Sequence, residues 1–170
     1  MIELIIVIVI AGILAAVMLP RLERDPAREA AEQVAQHIRY AQHLAMVDDV
    51  YDAANPDWHE NRWSIDLCSP QYLVSRANNT EVAIDPLSKD DINGSKTEAF
   101  DLDKRFGVTT SPLSGNCKIT FDNLGRPYLS TSTTVSDTPT TTDTTVSLTA
   151  NGKTYTLTVI KQTGYTVVNY

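Results

Sequence analysis

Residues 1–20, MIELIIVIVIAGILAAVMLP, decide how the rest of the chain is read. From Leu4 to Leu19 no side chain is charged or strongly polar. At ~1.5 Å rise per residue such a run predicts a helix of roughly 24 Å. That falls slightly short of the ~30 Å hydrocarbon core of a bilayer, yet a membrane-spanning helix is the first expectation. A single acid, Glu3, heads the run. A carboxylate in lipid is costly enough that such acids normally have a partner. A greasy helix led by one glutamate therefore suggests an assembly device rather than a plain anchor. A secretory signal peptide would carry a basic stretch before the apolar run, and none is present.

Ile2-Glu3-Leu4, the aliphatic run, Gly12-Ile13-Leu14-Ala15-Ala16 and Pro20 follow one another in a fixed order. In order and spacing they resemble the N-terminus of type IV pilins and type II secretion pseudopilins. The resemblance covers about an eighth of the chain. It implies that Met1 corresponds to the third residue of a mature subunit, after a basic leader ending in Gly and two further residues. It aligns Glu3 with the family's glutamate, which pairs with the terminal amino group of a neighbouring subunit and so sets subunit registry. It aligns Pro20 with the family's helix-kinking proline and makes Gly12 a point of close helix packing. Blander roles are a carboxylate at headgroup level, small-residue filling, and a helix end. Arg21, Arg24 and Arg28 follow the apolar run, and the positive-inside rule alone would put that side in the cytoplasm. The resemblance implies the opposite orientation: inner membrane, single pass, the C-terminal domain periplasmic and later part of a periplasmic or extracellular fibre.

The 170 residues suit one domain plus an anchor, divided as an assembly helix at 1–20, an amphipathic helix at 21–54 and a β-rich domain at 55–170. The fold class expected is α+β, a long N-terminal helix packed on an antiparallel sheet. The net charge of -7 argues against the basic footprint of a nucleic-acid binder. Cys68 and Cys117 are an even pair in the part placed outside the cell membrane. They read as one disulfide, with two buried free thiols as the alternative.

Ala27, Ala30 or Ala31, Val34, Ile38, Ala41 and Ala45 recur at helical spacing, and Glu29, Glu32, Gln36, Arg39 and Gln42 lie opposite. Asp25-Pro26 predicts a restart of the helix with Asp25 as cap, and Asn55-Pro56 a stop. Beyond it the residues alternate or turn. Strands are expected at Trp63–Cys68, Gln71–Ser75, Glu81–Ile84, Cys117–Asp122 and from Tyr128. Residues 85–103 read as polar loop and 130–145 as a Thr/Ser-rich connection. Thr145–Ala150 and Lys153–Ile160 flank Asn151-Gly152, a hairpin signal, and Tyr165–Asn169 is a last strand. This layout, with the Trp63 strand, Ile119-Thr120-Phe121-Asp122, Gly125-Arg126 and Thr163-Gly164-Tyr165, is similar to H-type minor pseudopilins and FimT-like minor pilins.

Catalytic signals are few. His37 and His43 do not share the i,i+4 face of a helical metal pair, and His59 stands alone, so all three are expected at the surface. Lys89-Asp90-Asp91-Ile92-Asn93-Gly94-Ser95 is half a calcium loop, with Lys89 in the first ligand position and Phe100 in the terminal one. No metal or cofactor is expected. Asp91 to Ser95 also fits an acidic N-glycosylation sequon at Asn93, and Asn78-Asn79-Thr80 fits the general one. The function expected is a non-enzymatic fibre subunit of a type II secretion system or type IV pilus. Its partners are other pilin or pseudopilin subunits, a prepilin peptidase, an inner-membrane assembly platform and membrane lipid. The rivals are an adhesion subunit and a DNA receptor for uptake. Near the C-terminus the latter would have only Lys161 to offer phosphate.

Overall fold

The computed structural model describes residues 2–18, 24–109, 113, 115–131 and 134–169. Helix α1 spans Ile2–Met18, helix α2 Pro26–Val47 and the short helix α3 Leu102–Phe106. The strands are β1 (Trp63–Asp66), β2 (Leu73–Arg76), β3 (Lys118–Phe121), β4 (Pro127–Ser130), β5 (Thr144–Ala150), β6 (Lys153–Val159) and β7 (Thr166–Asn169). They form two antiparallel sheets, ordered β2-β1-β3-β4 and β5-β6-β7.

The α+β class stands, but the membrane-spanning first half does not. Helix α1 has 17 residues, about 26 Å at the usual rise, and falls short of a ~30 Å hydrocarbon core. Among the described residues no helix is long and apolar enough to cross a membrane. That finding overturns the transmembrane helix and, with it, the single-pass inner-membrane location with a periplasmic domain.

Helix α2 organises the rest. Asp25 caps it by accepting the Arg28 amide at 3.3 Å, with Pro26 in the first turn. It ends at Val47, ahead of Asn55-Pro56. Asp48 and Asp49 place negative charge at the end of the helix that disfavours it. Asp48 instead accepts from Trp63 Nε1 at 3.0 Å and Arg76 Nη2 at 2.7 Å. The buried face carries Ala27, Ala30, Ala31, Val34, Ala35, Ile38, Ala41 and Ala45. These small side chains let one helix lie close to both sheets, and residues of each sheet join its core: Ile65, Val74, Ile119 and Phe121 from one, Val146, Leu148, Leu157 and Val159 from the other.

Polar flanks of α2 fasten it to the sheets. Gln42 Nε2 donates to Gly125 O at 2.9 Å and to Thr163 O at 2.6 Å. These carbonyls belong to the β3–β4 turn and the β6–β7 turn, so one amide bridges the two sheets. Arg39 Nη2 donates to Thr166 O at 2.8 Å. Gly164, φ +66°, lies directly under this clamp, where an added Cβ would collide with Gly125 O. The β5–β6 hairpin turns on Asn151 and Gly152, both at positive φ (52° and 75°), as a type I′ turn requires. Burial along β5 alternates strictly, one side in and the next out.

Glu81–Ile84 departs from its expected strand: it makes only single bridges, Ser75 to Val82 and Ile84 to Asp91. The polar stretch before Asp103 runs into α3, whose start Asp101 caps through bonds from the amides of Asp103 and Lys104. Cys68 and Cys117 are bonded, with Cα atoms 4.8 Å apart, beside the β1–β3 pairing.

The seam under α2 is close-packed, so added volume should be felt there and not opposite. Ala31→Leu is expected to lose about 1–3 kcal/mol of unfolding free energy. Gln36→Leu, on the exposed face, should stay within about 0.5 kcal/mol. Urea titration of both variants checks this.

Candidate functional site

Helix α1 is the first candidate. Residues 2–16 are exposed on every side of the helix. Ile2, Leu4 and Val7 show about two thirds or more of their surface, at 73%, 67% and 65%. Glu3 sits exposed in the first turn, at the end of the helix that favours an anion. A Cβ added at Gly12 would meet nothing within 4 Å, so nothing else in the described structure calls for a glycine there. Pro20 lies outside the described residues.

The second candidate is His37, expected at the surface but buried on the flank of the α2 seam at 7% exposure. His43 is exposed and His59 half-buried, nearer the expectation. His37 Nδ1 lies 2.6 Å from Tyr72 Oη, which also accepts from Gln33 Nε2 at 2.7 Å. Gln33 in turn donates to Ala99 O at 2.8 Å. The edge of the imidazole meets the Phe100 ring, with centroids 5.4 Å apart. His37 Nε2 is 3.9 Å from Asp85 Oδ1. Burial pulls the imidazole below its ordinary range, opposed by Asp85 and assisted by Arg105. Burial likewise drives the Tyr72 phenol well above its usual value. A neutral histidine held by a phenol ties α2 to β2. Helical periodicity missed it because position 37 lies between the stripe residues Val34 and Ile38.

A third cluster surrounds Arg62, just before β1. Its guanidinium stacks between Trp58 and Tyr128, 4.5 Å and 4.2 Å from the ring centroids. The residue is 4% exposed, and Nε and Nη1 have no hydrogen-bond partner among the described residues. Stacking on two aromatic faces offsets part of the cost of burying the charge. Burial still holds the guanidinium below its usual value. Beside it Asp122, at the end of β3, accepts from the amides of Leu124 and Arg126, from Arg126 Nε at 2.7 Å and from Tyr128 Oη at 3.1 Å. That network is what Asp122 and Gly125-Arg126 do together: they close the β3–β4 turn.

The glycosylation candidate Asn93 is half-buried, and its Oδ1 accepts the Ser95 amide at 3.0 Å in a local turn. In the acidic loop Lys89 is at φ 67°, and Asp85 turns inward to accept the Ser88 amide at 2.9 Å. Among the described residues the only metal-like grouping is Asp66 with Cys68 and Cys117. Those sulfurs are joined to each other, which leaves a single carboxylate and no ligand set.

His37 makes a pH prediction. An imidazole with a lowered folded pKa lets the unfolded chain take up a proton first. Its contribution is therefore complete above the unfolded value of about 6.5 and is lost as pH falls from there toward the folded value. Stability measured by urea titration should decline below about pH 6.5, and His37→Gln should flatten that decline. A wild-type curve level through this window would contradict the assignment.

No family model, no curated protein and no solved structure matches the chain.

Proposed function

We propose that the chain is a subunit of a helical fibre of the pilin type, a minor pseudopilin or minor pilin, and that α1 is its assembly element. The observation that carries this reading is the contrast between α1 and the rest. Helix α2 and the two sheets close a core that includes none of residues 2–16 of α1. The aliphatic side chains of α1 are meanwhile exposed all round. A helix apolar on all faces finds its stable place only when it is surrounded. Burying each such side chain gains about 1.5–3 kcal/mol. Copies of α1 packed side by side would supply that surround, and Gly12 with Ala15 would let the backbones approach.

Glu3 then has a specific task. Inside a bundle of apolar helices an unpaired carboxylate is penalised, and a cationic group of the next subunit relieves that penalty only in one axial register. The β-rich head faces outward and carries whatever surface the fibre presents. On this reading the protein is a mechanical part rather than a catalyst. Its partners are other pilin-like subunits, the peptidase that matures them and the platform that adds them to the fibre.

Incorporation into fibres in the source cell tests the reading. Wild-type chain is expected in the sheared fibre fraction. Glu3→Ala should fall at least tenfold, because the neighbour's cation is left buried and unpaired, at a cost of about 3–5 kcal/mol. Glu3→Asp should fall less. Equal incorporation of Glu3→Ala, with head stability unchanged, would remove the registry role.

A further inference from the structure

Lys118 is the most completely enclosed charged residue of the head, with no solvent exposure. It stands on β3 and pairs in register with Asp66 on β1 and Ser130 on β4. Its Nζ has three oxygen neighbours: Ala77 O at 3.0 Å, Asn79 Oδ1 at 3.4 Å and Asp66 Oδ2 at 3.8 Å. Each is held in place by other bonds. Asp66 gives its second oxygen to the Cys68 amide at 2.9 Å, which leaves Oδ2 toward the amine. Asn79 sits in the turn after β2 at φ 59°, a conformation asparagine tolerates, with its amide on Arg76 O at 2.8 Å. The Asn79 carbonyl oxygen also accepts the Ser75 hydroxyl at 3.2 Å. Two neighbouring backbone bonds, Ala77 N to Arg62 O and Asn78 N to Glu60 O, fix the turn.

An amine, a carboxamide and a carboxylate thus meet around a shielded nitrogen. Burial lowers the affinity of Lys118 for its proton, against the pull of Asp66, which raises the share of neutral, nucleophilic amine. The Ser75 hydroxyl lies 3.2 Å from the Asn79 carbonyl oxygen and 2.9 Å from Arg76 O, so its one proton polarises the carboxamide only when it turns from the backbone acceptor. A charged lysine has three N–H donors, and Ala77 O, Asn79 Oδ1 and Asp66 Oδ2 would answer all three. What goes beyond simple burial is to take the exposed Asn79 carboxamide as an electrophile held beside the enclosed amine.

We propose that Lys118 and Asn79 condense into an intramolecular isopeptide bond, with Asp66 carrying the protons. Asp66 takes a proton from the Lys118 ammonium. The freed lone pair on Nζ attacks Asn79 Cγ, and the Cγ–Nδ2 bond breaks as the tetrahedral intermediate collapses. The protons released from Nζ pass through Asp66 to the departing nitrogen. The lysine ammonium and the primary amide become a secondary amide and an ammonium ion, with no oxidant or reductant consumed. The bond would tie β3 to the turn after β2, spanning β1 beside the Cys68–Cys117 disulfide. Such a link reinforces the sheet against pulling, and it is independent of how α1 assembles.

Intact-mass spectrometry of the purified full-length chain tests the proposal. The expected mass is that of the sequence with its disulfide, less one ammonia. Tandem spectra of a digest should contain a branched peptide joining Lys118 to Asn79. Lys118→Arg and Asp66→Ala should each restore the missing ammonia. A full mass for the wild-type chain overturns the proposal whatever the variants do. So does a succinimide at Asn79, which has the same mass but no branch. A loss of water with a Lys118–Asp66 link overturns it as well.

Discussion

The close seam between α2 and the two sheets is the constraint on which the head depends. Neither sheet is wide enough to bury a face alone, and they are joined through the helix. Alanines at 27, 30, 31, 35, 41 and 45 keep that helix near enough for Gln42 to reach carbonyls on both sides. Larger side chains would push the sheets apart and break those bonds before they broke the hydrophobic contact. The seam also explains why His37 favours its neutral, phenol-bound form: burial on its flank penalises the imidazolium.

The head holds more buried polarity than its size suggests. Lys118, Arg62, Asp122 and His37 are all shielded, and each is answered differently. Asp122 collects four donors. Arg62 is stacked between rings, with two donors unanswered among the described residues. His37 surrenders its charge. Lys118 meets a carboxylate and a carboxamide at once. Buried ions rarely add net stability over apolar groups of the same volume, so such a set must fix geometry. Here it pins the β1–β3 pairing, the β3–β4 turn and the approach of β2 to α2.

Much of this was legible beforehand. The stripe from Ala27 to Ala45, the Asp25 cap, the Asn151-Gly152 turn and the cysteine pair each have a local physical cause, and each stands in the structure. What was not legible depends on distant partners. Residues 118–121 alternate like a half-buried strand, yet all four are buried. The strand lies between β1 and β4, and the turn around Ala77 and Asn79 closes over Lys118. No periodicity in the segment announces that cover. Nor did Arg62 carry a signal, since its two rings come from residues 58 and 128. The membrane span failed for another reason: an apolar run sets composition, whereas spanning needs helix length, and among the described residues no helix is long and apolar enough.

The account finally rests on what surrounds α1. A photo-crosslinking amino acid in place of Ile8, which is 62% exposed, reports that neighbour directly in living source cells. The account predicts crosslinks mapped to the apolar N-terminal helix of a second copy, or of another chain with the same glutamate-led motif. Crosslinks confined to the chain's own β-rich head, or none to any such helix, would contradict it.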